Sequence, residues 1–315
     1  MQKKYTEKNT NNRYYKPLGR NPMEITGVDI SHPDKQLYPD DKISKKEIAE
    51  YYYNIADYLL PFVKNRPISL KRYPDGINQE GFYNKHRPHY FPDYIKQFTV
   101  PTVQENSEMS MVGIHSKKSL VYLAGQNTLE LHISLSTISS IEKPDQIIFD
   151  LDPQDDDFEK VRETALALKK LFDDFELTTF VKTSGSRGLH IHLPIKARCK
   201  FTKIKEISRK IAEKLHQQHP QITTLEQRKN KRGNKVFIDF LRNDYAMTAV
   251  APYSLRAKKG APIATPLEWE ELNDSSLHPQ FYHLKNIFQR LGEKENPWKN
   301  FNRYNRHIEL NALFD

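Results

Sequence analysis

Apolar residues recur along this chain at two spacings, and each switch between them marks a change of element. From Ser44 the run KKEIAEYYYNIADYLLPFV carries apolar residues at helical spacing behind a Ser cap, predicting a helix that ends before Pro67. RPISLKRY, residues 66–73, predicts a strand. Residues 74–92 are turn-rich and crowded with rings and cations, among them Phe82, Tyr83, Lys85, His86, Arg87, Tyr90 and Phe91. Alternating stretches follow around 109–115, 119–123 and 129–135, and then the strand QIIFDLD at 146–152. A helix over 158–175 presents Phe158, Val161, Leu168, Leu171, Phe172 and Phe175 as one apolar stripe. LTTFVKT (177–183) and LHIHLPI (189–195) read as strands on either side of a Ser-Gly-Ser-Arg-Gly turn. A helix near 202–218, the strand KVFIDFL at 235–241, a Pro-punctuated segment at 252–271 and a helix near 278–291 complete the pattern before a ragged C-terminus. No internal repeat emerges. Strands interleaved with helices, with hairpin-like pairs among them, predict an α+β (mixed α/β) domain over 23–295, with a C-terminal extension at 296–315. Residues 1–22 hold six basic residues and one acidic residue and are read as a flexible basic tail.

Composition narrows the picture. A chain of 315 residues suits one large domain or two modest ones. No apolar window is long enough to span a membrane, and the N-terminus lacks the apolar core of a secretory signal, so neither is expected. The lone Cys199 excludes an internal disulfide and a multi-thiolate zinc site, and it suits a reducing compartment. The net charge of +9 is unevenly spread. Residues 196–260 hold 17 Lys and Arg against 5 Asp and Glu, whereas residues 142–176 hold 5 against 12. An acidic block beside a basic one is the layout expected where metal ions sit next to phosphates, although solvated charged faces would look the same.

The sharpest chemistry lies in three carboxylates. Asp150 and Asp152 are two apart on a strand and share a face, while Ile147, Phe149 and Leu151 share the other. Two such acids repel unless a cation lies between them. Asp239 repeats the pattern, one acid in an otherwise apolar strand. Three convergent carboxylates make a hard oxygen site for Mg²⁺ or Mn²⁺, and two ions about 3.5–4 Å apart would serve phosphoryl transfer. On spacing alone, Asp-x-Asp-Pro also reads as a turn or a helix-capping run. Asp155, Asp156 and Asp157 fit as acids at a helix N-terminus.

Other constellations are weaker alone. In TSGSRGLHIHLPI a small-residue turn can point N–H groups at an anion, and Arg187 adds a fixed fork for phosphate oxygens. His190 beside that turn suits a phosphate or sugar contact, and His192 suits a hydrogen-bonded core position. A transition-metal site joining them to His132 is the alternative. Lys71, Arg72, Phe82, Tyr83 and Lys85 could stack bases and grip a backbone, or form an aromatic cluster under a loop. Lys35 and Lys45 could bracket another anion, and Arg232, Arg242 and Arg256 could supply charge for a triphosphate; solvated surface cations are the competing reading.

Taken in order, HPDKQLYP, LKRYPDG, EGFYNKH, LELH, FDLDP, TSGSRGLHIHLP, VFIDFLRN and APYSLRAK strongly resemble the polymerase domain of bacterial DNA ligase D, of the archaeo-eukaryotic primase superfamily. The resemblance runs from about residue 25 to 290. It implies a primase-polymerase core of central, mostly antiparallel sheets flanked by helices. It also implies that Asp150, Asp152 and Asp239 hold the metal, usually Mn²⁺ and otherwise Mg²⁺, and carry catalysis. Ser184, Arg187 and His190 match the triphosphate motif, and His132, Arg232, Arg242 and Arg256 fall at positions facing the incoming NTP or dNTP. Lys35 and Lys45 match the pair that grips the 5′-phosphate of a gap. Phe82 and Tyr83 match two template-stacking aromatics, with Tyr where Phe is expected; Lys71, Arg72 and Lys85 match DNA-contacting cations. The implied activity is template-directed filling of short gaps and extension of ends in bacterial non-homologous end joining, favouring ribonucleotides. Ku and a DNA ligase are the implied partners, and the bacterial cytoplasm, at the nucleoid, the implied location. No Lys-x-Asp-Gly ligase motif is present, since Lys71 opens Lys-Arg-Tyr-Pro-Asp-Gly. A stand-alone primase and a non-catalytic DNA-end-binding module are the alternatives.

Overall fold

The computed structural model describes residues 24–104, 106–155 and 157–305. The basic tail read at 1–22, the last ten residues of the C-terminal extension and Asp156 lie outside the described residues. Two short hairpins come first among the described residues: β1 (Glu24–Ile25) with β2 (Val28–Asp29), and β3 (Gln36–Tyr38) with β4 (Ile43–Ser44). Ser44 then caps α1 (Lys45–Asn54) through a reciprocal box, its hydroxyl accepting the Glu47 N–H and its own N–H donating to the Glu47 carboxylate. The single helix expected from Ser44 is two, because Ile55 separates α1 from α2 (Ala56–Val63). Pro61 inside α2 cannot donate to the preceding turn, so the second segment is short.

Two six-stranded sheets follow. The first mixes β5 (Ile68–Arg72), β6 (Phe82–Asn84), β7 (Lys96–Pro101), β8 (Glu108–Gly113), β9 (Thr128–Ser134) and, much later, β15 (Thr248–Val250). Its order is β15-β9-β5-β8-β7 with β6 on β5, and every pairing is antiparallel. The alternating stretch at 119–123 is not a strand. It lies in α3 (Lys117–Gly125), capped by Ser116, where Leu120, Val121, Leu123 and Ala124 are all buried. A short apolar run buried nearly all round has the same local pattern in a helix as in a strand.

The second sheet comprises β10 (Gln146–Pro153), β11 (Phe180–Thr183), β12 (Leu189–Pro194), β13 (Thr223–Thr224), β14 (Val236–Asp239) and β16 (Pro266–Leu267), in the order β13-β14-β10-β12-β11-β16. Only β13 and β14 run parallel. Helices α4 (Phe158–Asp173) and α5 (Phe201–Gln218) cover one face, where Val161, Leu168, Phe172, Ile204 and Ile211 pack on Ile147, Phe149, Leu151 and Ile191. The opposite face of β10, carrying Asp150 and Asp152, is left for chemistry. Of the helix expected near 278–291, the structure forms only α6 (Ile287–Glu293).

Residues 296–304, read from sequence as part of the C-terminal extension, pack inward. Trp298 and Phe301 are buried, stack on each other at 5.2 Å and meet Phe62 and Phe180 edge-on or tilted. The Trp298 indole N–H donates to the Val181 carbonyl at 3.1 Å, tying this segment to β11. It closes the core that α1, α2 and α3 build against the first sheet.

Candidate active site

Strand register assembles the acids. Asp150 on β10 stands directly opposite Asp239 on β14 and, on its other side, opposite His190 on β12. Asp152 follows two residues on, on the same face. These side chains floor a cleft of about 860 Å³, whose other wall is the first sheet, through Ser69, His132 and residues 248–250. Burial first, then the neighbouring Asp239 and Asp152 charges, push the Asp150 carboxyl up to about 6 against the pull of Arg242. The Asp239 carboxyl is likewise raised, chiefly by burial.

Arginines answer that charge. The Arg242 Nε lies 3.2 Å from Asp239 and 3.7 Å from Asp150. Arg187 reaches Asp152 at 2.8 Å, and Arg232 reaches it at 3.2 Å. Arg232 is fixed from behind, donating to the carbonyls of Glu226 and Gln227 and lying 3.9 Å over the Phe237 ring. With Asp152 turned to these arginines, no three acid, imidazole or thiol groups among the described residues close into a metal cage. The donor set is nevertheless all oxygen, and the raised Asp150 carboxyl marks a place where a further cation is favourable. The residues therefore fit a hard divalent ion, with Asp152 needing to leave its arginines to act as third ligand.

The Ser-Gly-Ser-Arg-Gly turn borders the same cleft. The Ser184 hydroxyl accepts the N–H groups of Ser186 and Gly188, at 3.2 and 3.1 Å, which folds the turn on itself. Gly188 is obligatory, because a Cβ there would come within 1.8 Å of the Leu151 carbonyl oxygen. The Arg256 guanidinium donates to the Ser184 carbonyl and extends to Glu130 at 3.2 Å. Glu130, buried, also receives His132 at 2.9 Å and the Ala257 N–H at 3.1 Å. Burial alone would raise its carboxyl, but the His132 hydrogen bond and the Arg256 charge bring it down to about 2. His132 itself is held below its ordinary value by burial. His192 is a core residue, bonded through Nδ1 to Gln146 and edge-on to Trp298.

Tyr83 and Lys85 line the same cleft. Tyr83 is half exposed and lies edge-on to His132, with Lys71 over its ring at 5.4 Å. Phe82 is exposed beside the cleft, and the Arg72 guanidinium lies 5.7 Å from its centroid. Lys35 and Lys45 lie together elsewhere, outside that lining. The Lys45 N–H donates to the Lys35 carbonyl, its buried amine donates to Ser31, and Lys35 pairs with Asp75 at 3.4 Å. Burial, and then the Lys35 charge, lower the Lys45 amine. Of the site residues expected from sequence, Lys35, Lys45, Lys71, Arg72 and Phe82 stand outside the cleft lining, and the others form it. Sequence reasoning did not single out Lys229 and Lys258, which also line the cleft, or the buried Glu130, which holds His132 and Arg256. The spacing Glu-Leu-His in β9 was the available signal for Glu130, since it puts that acid on the face of His132.

The acid pair in cross-strand register thus lies under an arginine-lined cleft between two mostly antiparallel sheets. Residues 44–298 match the family described as LigD, primase-polymerase domain. This chain belongs to that family. It is 31% identical over 282 residues to the bifunctional non-homologous end joining protein LigD of Bacillus subtilis, covering 89% of this chain and 45% of the relative. It is 32% identical over 286 residues to the multifunctional non-homologous end joining protein LigD of Pseudomonas aeruginosa, covering 90% and 34%. The chain thus spans less than half the length of these curated relatives. Its fold matches the polymerase domain of Mycobacterium tuberculosis ligase D, solved in complex with DNA, with a TM-score of 0.81, 29% identity, and 88% and 98% of the two chains covered. Among the described residues no helix is long and apolar enough to cross a membrane.

Proposed function

We propose that this chain is a template-directed nucleotidyltransferase that fills short gaps and extends DNA ends in non-homologous end joining. The observation that carries the reading is the register of Asp150 against Asp239, with Asp152 beside them, on the floor of a cation-lined cleft. Mn²⁺ or Mg²⁺ held by Asp150, Asp152 and Asp239 would supply the Lewis acid that activates the primer 3′-hydroxyl and neutralises charge on the leaving pyrophosphate. The chain's own groups do the rest. The Ser184–Gly188 turn and Arg187 receive the triphosphate, with His190 and Arg232 flanking it. Arg256 and His132, fixed by Glu130, orient the nucleotide between the two sheets. Arg242 balances Asp150 and Asp239 in the protein as it stands and would be free to turn to the nucleotide were those acids to hold a metal.

Phe82 and Tyr83 offer rings for template bases, with Lys71, Arg72 and Lys85 for its backbone. Lys35 and Lys45, adjacent and partly desolvated, would take the 5′-phosphate across a gap. A ribonucleotide preference, partnership with Ku and a DNA ligase, and work at the nucleoid of a bacterial cytoplasm belong to the same proposal. A purely end-binding module would gain by losing three acids beside DNA, so their presence favours catalysis. Asp150→Ala and Asp239→Ala are expected to abolish nucleotide addition on a primed template while DNA affinity in a gel-shift titration stays the same or tightens. Near-normal extension by either variant would remove the site assignment, and synthesis of dinucleotides on unprimed template would favour the primase reading.

A further inference from the structure

The acid row does not end at His190. Lys182 on β11 stands opposite His190 in the register, so Lys182, His190, Asp150 and Asp239 form one line across four adjacent strands, all on the cleft-facing side of the sheet. Lys182 is fully buried, beneath the cleft rather than in its lining. Its Nζ has no hydrogen-bond partner, and neither has Nδ1 of His190, whose Nε2 faces Asp150 at 3.4 Å. Cross-strand neighbours place their Cβ atoms about 5 Å apart, well within reach of a lysine and an imidazole. One buried nitrogen that can donate thus lies on the strand beside one that accepts when the ring proton is on Nε2, and each is costly to leave unpaired.

We propose that Lys182 is a positioning residue for nucleotide binding: its amine donates to Nδ1 of His190 when a nucleotide occupies the cleft, and so holds Nε2–H of His190 toward the bound phosphates. The inference rests on the nucleotide-site reading above. Burial, with Arg256 nearby, pushes the lysine amine well below its ordinary range, which suits a donor that adds little charge behind the acids. Lys182 reaches the substrate only through His190: the Nε2 of His192, also buried without a hydrogen-bond partner, is the other imidazole nitrogen near it, but His192 lies in the core against Trp298 and outside the cleft lining.

Lys182→Met keeps the volume and removes the donor, while Lys182→Gln retains a donor. An idle buried amine is a burden, so its loss alone leaves thermal stability unchanged or raised. The proposal adds that Lys182→Met raises the nucleotide KM up to about tenfold, the worth of one intramolecular hydrogen bond, with kcat and DNA affinity within about twofold. Lys182→Gln is expected to lie between it and the wild type. In histidine-¹⁵N spectra, a non-hydrolysable nucleotide analogue should shift Nδ1 of His190 in the wild type and not in Lys182→Met. A wild-type KM in Lys182→Met, a fall in kcat with KM unchanged, or an Nδ1 resonance indifferent to the analogue would each overturn the inference. Should Lys182→Met fail to fold, the wild-type spectrum and Lys182→Gln decide alone. A wild type that adds no nucleotide and binds no analogue overturns the nucleotide-site reading, and the role of Lys182 falls with it.

Discussion

Glu130→Gln isolates the buried charge on which the proposed nucleotide wall depends. The substitution keeps the shape of the side chain and removes the carboxylate that receives His132, Arg256 and the Ala257 N–H. Its carboxyl falls from the ordinary 4.5 to about 2 on folding. At about 1.4 kcal/mol per pKa unit, that difference contributes about 3 kcal/mol of stability, and deep burial leaves little solvent screening to discount. A depressed folded-state value fixes the sign. The contribution is fully present above the unfolded value, is lost as pH falls from about 5 towards 2, and is absent from the variant throughout. Urea unfolding of both proteins at pH 7, 5, 4 and 3 is the assay. The wild type should lead by up to about 3 kcal/mol at pH 7, and the gap should narrow to less than about half of that by pH 3. A gap that stays constant across that range would refute the electrostatic account and leave only lost packing. The same variant should raise the nucleotide KM, since Arg256 and His132 lose their shared anchor.

Three further outcomes follow from the site. Asp150→Asn should stabilise the metal-free protein at pH 7 to 8 by about 3 kcal/mol, because a carboxyl raised from 3.8 to about 6 destabilises the fold above that window. The gain should vanish below pH 4, and Mn²⁺ should raise the Tm of the wild type but not of the variant. Gly188→Ala should lower stability by about 1–3 kcal/mol in thermal melts, since its Cβ would overlap the Leu151 carbonyl and must push the turn off β10. Lys35→Ala with Lys45→Ala should erase any preference for gaps carrying a 5′-phosphate in extension assays, with little change on open primer ends; a retained preference would place the phosphate elsewhere.

The strands carrying the three acids were legible because a two-residue period is local. Ile147, Phe149 and Leu151 had to face a core, so Asp150 and Asp152 had to face away from it, and Asp239 followed by the same rule. The Ser44 cap and the small-residue turn at 184–188 were legible because their residue types act on their own backbone. Register was not. Nothing within β10 says that Asp150 meets Asp239 on one side and His190 on the other, and the row to Lys182 exists only once four strands align. The helix α3 was lost to a five-residue window too short to separate two periods, and the inward packing of Trp298 depends on Phe62 and Phe180, far away in sequence. Lys229 reaches the cleft from a single 3-10 turn and Lys258 from a loop, and no local pattern fixes the path of either.

The central claim is that the cleft copies a template, and a one-nucleotide gap tests it most directly. Four gapped duplexes, one for each template base, would be offered each nucleotide singly with Mn²⁺ and compared with Asp150→Ala. The account predicts addition of the complementary nucleotide on all four templates and none by the variant. Addition indifferent to the template base, or addition that persists without Asp150, would contradict it.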